Sequence, residues 1–184
     1  MKLVPIALVG ALLGGCTETP DAKAPANGEA VPAAADDAVG SKAPDFDLKT
    51  LDGESITLSS LRGKVVLVDF WSTICDPCLK EMPELVRLYQ ERKDKGFVVL
   101  AVATDGPETV ANVSRVAKAE NMVFPVLLDT ETTVLDRYNP EGRLPFTEVI
   151  DRNGNVVLKR SGYQPGDVES QKRLVEAIDK AMAQ

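Results

Sequence analysis

Residues 64–83, KVVLVDFWSTICDPCLKEMP, constrain the fold more than any other part of the chain. The first eight form an almost unbroken apolar run. Such a run suits a strand covered on both faces, and so an interior place in a sheet. After a break at 72–74, Cys75 and Cys78 open a helical pattern over residues 75–94. Within it Leu79, Met82, Leu85, Val86, Leu88 and Tyr89 fall at core-facing spacings. Pro83 lies inside the pattern and is expected to kink the helix, because proline removes a backbone hydrogen bond.

Three chemistries compete for Cys75 and Cys78: a metal clip, a structural staple and a working redox couple. A structural zinc site needs four Cys or His ligands. This chain has no histidine, and its remaining cysteine is Cys16, near the amino terminus. A staple closing so short a loop removes little entropy from the unfolded chain. Position favours exchange chemistry. Cys75 would sit at a helix N-terminus, where free N–H groups and the dipole stabilise a thiolate. Cys78, three residues on, shares that face within bonding reach. Pro77 suits a first helical turn, where its missing N–H has no partner to lose. Cys75 is therefore the expected attacking sulfur, and the more buried Cys78 the resolving one.

The amino terminus, MKLVPIALVGALLGGC, reads as an export signal, with Lys2 ahead of an apolar run. That run is shorter than the roughly 20 residues of a spanning helix. Its ending, LGGC, resembles a bacterial lipobox, which implies cleavage before Cys16 and a lipid on that sulfur. Residues 1–15 are then a signal peptide and 16–41 a lipidated cysteine with a flexible tether. Acyl chains contribute about 0.8 kcal/mol per buried methylene, so two or three anchor a protein to a lipid membrane stably. Residues 17–40 lack aromatics and apolar periodicity, too little to offset their ordering entropy. As a random coil they reach about 25–30 Å. A net charge of −7 argues against nucleic acid, since nothing neutralises a run of phosphates.

Residues 42–184 read as one α/β domain. APDFDLKTLDGESITLSSLRGK suggests two short strands turning at Asp52 and Gly53, then a helical turn around 59–61. FVVLAVAT is a second buried strand, followed by a helix over 108–119, a short strand FPVLLD and a helical piece ETTVLDRY. FTEVID and NVVLKRSG form a hairpin around Asn153 and Gly154, residues that tolerate positive φ. A last helix spans 167–182, with Leu174, Val175, Ile178, Ala181 and Met182 on one face. Alternating strands and helices make a layered fold: a central mixed sheet with a C-terminal β-hairpin and helices on both faces.

VVLVDFWSTICDPCLKEMP, taken with RLPFTEVID, resembles the thioredoxin superfamily. The lead-in and the FVVLAVATDGPETV segment are similar to its membrane-anchored extracytoplasmic branch, the TlpA/ResA type. The resemblance implies a thioredoxin-like three-layer fold with no bound cofactor. It makes Pro145 the cis-proline facing the disulfide, with Leu144 offering backbone groups to a substrate strand. It makes Trp71 the tryptophan beneath the active site and Asp69 the buried acid that moves the proton of the resolving cysteine. A carboxylate in so apolar a strand should have a raised pKa, as a base for Cys78 requires. The alternative is an Asp69 turned outward, with Asp105 or Glu108 as the acid. Ile74 stands where the family has a tryptophan, altering a contact with substrate. Asp76 puts a negative charge beside Cys75, which disfavours the thiolate and predicts a low-potential reductant.

The function this implies is a membrane-tethered, extracytoplasmic thiol–disulfide oxidoreductase that reduces protein disulfide substrates, with the cysteines of apocytochrome c as one candidate. Such a reductant works in an oxidising compartment such as the periplasm. It then needs electrons from outside, from a transmembrane thiol reductase. Two rivals share parts of the pattern. A peroxiredoxin-like peroxidase would use Thr73, two residues before Cys75, but that loop's preceding proline is absent. A Sco-like copper chaperone would need a histidine beside its cysteines.

Overall fold

The computed structural model describes residues 39–184. The signal peptide expected over 1–15, the lipidation expected at Cys16 and the tether expected after it, up to residue 38, lie outside the described residues. Among the described residues, seven strands and four α-helices follow in order. β1 (Asp47–Thr50) and β2 (Ser55–Thr57) form the N-terminal hairpin. β3 (Val65–Trp71) is buried at every position, as its apolar run predicts, and leads into α1 (Asp76–Arg92). Next come β4 (Phe97–Ala103), α2 (Val113–Ala119), β5 (Val126–Leu128) and α3 (Thr133–Tyr138). The C-terminal hairpin of β6 (Phe146–Ile150) and β7 (Val156–Ser161) precedes α4 (Val168–Met182).

The sheet order is β2-β1-β5-β4-β3-β6-β7. β3, β4 and β5 run parallel, β6 and β7 extend the sheet antiparallel on one side, and β1 and β2 do so on the other. One face carries Val65, Leu67 and Trp71 against Cys78, Met82 and Leu85 of α1 and Leu174 and Ile178 of α4. The other face packs Val66, Val68 and Phe70 against Val134, Leu135 and Tyr138 of α3 and Phe46 of the lead-in. The three-layer α/β fold expected from the sequence is the one observed.

Two elements differ from the sequence reading. The helix expected over 108–119 begins at Val113, after a tighter turn over Val110–Asn112. Thr109 and Val110 both donate to the Gly106 carbonyl, at 3.0 and 2.9 Å, so residues 106–110 close a turn before the helix starts. α1 ends at Arg92, and a 3-10 turn over Lys93–Lys95 reaches Gly96, whose φ of 86° favours glycine. The helix passes through Pro83 without interruption, and that residue sits on its exposed side.

Candidate active site

The loop between β3 and α1 is tied down from several directions. Thr104 donates to the Trp71 carbonyl through its backbone N–H at 2.9 Å and its hydroxyl at 3.1 Å. Cys75 N–H donates to the Ser72 carbonyl at 3.1 Å. Asp105, buried after β4, accepts the Thr73 N–H at 2.9 Å on one oxygen and the Thr73 hydroxyl on the other. Both Asp105 oxygens are therefore engaged in holding the loop. Glu108, the other acid considered from the sequence, is exposed on the following turn.

Cys75 occupies the N-cap of α1. Its sulfur accepts the Cys78 N–H at 3.3 Å, and its carbonyl accepts from Leu79 N–H at 3.1 Å. Cys75 and Cys78 form a disulfide with a Cα–Cα distance of 5.3 Å. Cys75 is half-buried and Cys78 is sealed from solvent. An incoming thiol or disulfide therefore meets the Cys75 sulfur. Once reduced, that sulfur remains beside an N–H group at a helix N-terminus, a setting that favours the thiolate.

The surroundings of the pair qualify one sequence expectation. The Asp76 side chain is 86% exposed and lies 3.6 Å from Lys80. Water and the Lys80 ammonium both weaken its field at Cys75, so its push against the thiolate is smaller than its adjacency suggests. Ile74 projects into solvent at 81% exposure, an apolar surface directly before Cys75.

β6 forms the wall beside this loop. Phe146 pairs with Phe70, so Pro145 stands level with Trp71 at the end of β3 from which the cysteine loop departs. The Leu144–Pro145 peptide is cis, as the motif implied. Leu144 packs against the core cluster that also contacts Cys75. Trp71 is wholly buried in that cluster. It supports the site from below and presents no surface for a substrate to touch.

Asp69 faces inward. It lies on the same side of β3 as Leu67 and Trp71, in the layer between β3 and α1 that also holds Cys78. One carboxylate oxygen accepts the Thr147 hydroxyl at 3.0 Å, and the other has no hydrogen-bond partner among the described residues. Burial pushes its pKa up to about 7, against the opposing pull of the Thr147 hydrogen bond and the Arg160 charge. This is a carboxyl able to gain or lose a proton near neutrality.

The same cluster contains three residues that sequence reasoning missed, Thr147, Arg160 and Glu81. Asp69, Thr147 and Arg160 are neighbours across β3, β6 and β7. Arg160 donates to the Thr147 hydroxyl at 3.2 Å and is ion-paired with Glu81 of α1. Glu81 is buried. One signal for it was readable: residues 78, 81, 82 and 85 form an i, i+3, i+4, i+7 stripe, so Glu81 falls on the helix's buried face.

The fold and this cysteine pair define a thioredoxin-like thiol–disulfide oxidoreductase. The chain belongs to the AhpC/TSA family, which it matches over residues 39–159. It is 40% identical over 126 residues to the thiol-disulfide oxidoreductase ResA of Bacillus cereus, covering 68% of this chain and 71% of that protein. With ResA of Bacillus subtilis the identity is 42% over 123 residues, 67% of each chain. Among solved structures, a thiol:disulfide interchange protein of the thioredoxin family from Chlorobium tepidum aligns with a TM-score of 0.65 and 29% identity. That alignment covers 79% of this chain and 99% of the other.

Proposed function

We propose that this chain is a membrane-tethered, extracytoplasmic oxidoreductase that reduces protein disulfides. The observation that carries the reading is the inequality of the two cysteines: Cys75 is accessible at a helix N-terminus and Cys78 is sealed behind it. In the reduced protein the Cys75 thiolate attacks one sulfur of a client disulfide. A mixed disulfide forms, and the client's other sulfur leaves and takes a proton. Cys78 then gives its proton to the Asp69 carboxylate and attacks the Cys75 sulfur. The mixed bond breaks, the Cys75–Cys78 disulfide forms, and the client's second sulfur leaves as a thiolate that takes up the proton held by Asp69, returning that carboxylate to its ionised form. Two electrons have passed to the client, with one proton from Cys78 by way of Asp69 and one from solvent.

Returning the pair to the dithiol requires an outside donor, and a transmembrane thiol reductase meets that need in an oxidising compartment. The lipobox-like LGGC ending at Cys16 and the tether after it support attachment to the outer side of a membrane. The ResA names of the relatives support a thiol–disulfide reaction, and apocytochrome c cysteines are one client class with that chemistry. Leu144 and Pro145, with Ile74 across the loop, are the surface on which a client strand would dock. A peroxidase reading draws less support, because the Thr73 hydroxyl is turned onto Asp105 and Cys75 is already paired with Cys78.

The test is a Cys78→Ser variant of the full chain, expressed in its own cell envelope. Mixed disulfides between Cys75 and client proteins should accumulate there and vanish in Cys75→Ser. No trapped client, with peroxide consumed by the wild-type protein, would overturn the reading in favour of the peroxidase. Equilibration in glutathione and dithiothreitol buffers tests the direction. A strongly oxidising potential would rule out a reductant.

A further inference from the structure

Arg160 is an unusual residue to find inside this domain. It belongs to β7, an edge strand of the sheet, yet its side chain is only 10% exposed. A buried guanidinium loses its hydration and persists only where carboxylates compensate it. Here two carboxylates are available from different elements. Glu81 of α1 is its ion-pair partner, and Asp69 of β3 is reached through the Thr147 hydroxyl, which accepts from Arg160 and donates to Asp69. Two acids thus share one cation, and the Arg160 Nε has no hydrogen-bond partner among the described residues.

We propose that Arg160 is a positioning residue for disulfide exchange: held between Glu81 and Asp69, it governs when Asp69 takes up the proton of Cys78. The inference rests on the reading of Asp69 as that proton's acceptor. Its logic is charge balance. Glu81 draws on the guanidinium from the helix side, and what remains of its field favours ionised Asp69. The surrounding elements add few competing charges. Ala101 of β4 is the neighbour of Asp69 on its other side, and Lys159 of β7 is directed to the opposite face, against Glu148. Tyr163 and Asp167, between β7 and α4, flank Arg160 from outside, and the Asp167 carboxylate helps keep it charged. The C-terminal hairpin therefore does more than widen the sheet, because it carries the counter-charge of the redox layer.

The arrangement predicts opposite shifts from its two ends. In Arg160→Met the cation is gone and the Glu81 charge is uncompensated, so the Asp69 midpoint should rise by about one pH unit. In Glu81→Gln the whole guanidinium serves Asp69, so the midpoint should fall by about as much. The double variant should lie between them. The measurement is a carboxyl ¹³C titration of the full oxidised chain, with the Asp69 resonance assigned from Asp69→Asn. The pH profile of disulfide exchange is followed in parallel. Loss of packing alone would not move two variants in opposite directions. Should Arg160→Met fail to fold, Glu81→Gln and the double variant carry the test. Unmoved midpoints, or shifts of the same sign, overturn the proposal. Midpoints that shift as expected while the exchange profile stays fixed uphold the hold of Arg160 on Asp69 and overturn the proton-acceptor reading.

Discussion

Neighbouring rungs of the β6–β7 hairpin carry two buried ionic arrangements on opposite faces of the sheet. On the α1 side, Thr147 and Arg160 join Asp69 and Glu81. On the other side, Glu148 and Lys159 form a one-to-one pair at 2.7 Å. The second arrangement is closed, with one charge meeting its opposite. Burial still raises the Glu148 pKa, and Lys159 pulls against that rise. The first arrangement is open, because two acids there share one cation. A balanced pair has one favoured protonation state, whereas an unbalanced cluster leaves a carboxyl close to its titration point. The cysteine helix packs over the unbalanced one.

Breaking the closed pair should have the largest effect, and on stability alone. Lys159→Met leaves a fully buried Glu148 without its counter-ion, at a cost of about 3–5 kcal/mol. Chemical denaturation should show the loss, and Glu148→Leu combined with Lys159→Met should recover most of it. The pH profile of exchange by the folded fraction should not change. A changed profile would mean that the two faces are coupled and the comparison is wrong.

Asp69→Asn tests the open cluster, with an expected fall in the resolving rate of about 100-fold, equivalent to about 2.7 kcal/mol on the barrier. Stability should move in the other direction. The Asp69 pKa is raised by folding, so between about pH 4 and about pH 7 the native state binds a proton that the unfolded chain has lost. That contribution therefore declines as pH rises through this window and levels off above it. In Asp69→Asn the decline should be absent, as thermal melts across the window would show.

Thr147→Val gives the smallest expected effect. It removes the hydroxyl linking Arg160 to Asp69 at a cost of about 1–2 kcal/mol in stability. It should also move the Asp69 midpoint upward, because that hydrogen bond favours the ionised form. An unmoved midpoint would mean that Arg160 reaches Asp69 through space alone.

Much of the fold was legible because its signals are local. The apolar run of β3, the cysteines at the head of α1 and the Asn153–Gly154 turn each lie within a few residues, and each was found where expected. The inward direction of Asp69 was less legible. In a strand buried on both faces the neighbours on either side are apolar, so alternation does not say which face a polar residue takes. The charged residues in VVLKRS read as an exposed edge strand, and on the sequence alone Arg160 belongs in water.

By itself, the sequence determined the chemistry of Cys75 and Cys78. A helix N-terminus and a three-residue spacing are properties of one short segment, and they set the two sulfurs within bonding reach at the head of α1. Only the tertiary structure decided the proton environment behind that pair. The links from Thr147 to Asp69 and from Arg160 to Glu81 span 78 and 79 residues. They exist because strand register places β3, β6 and β7 side by side and α1 packs across them. A charge is buried at a tolerable cost only where its partners already stand, and their places are set by the packing of the whole domain.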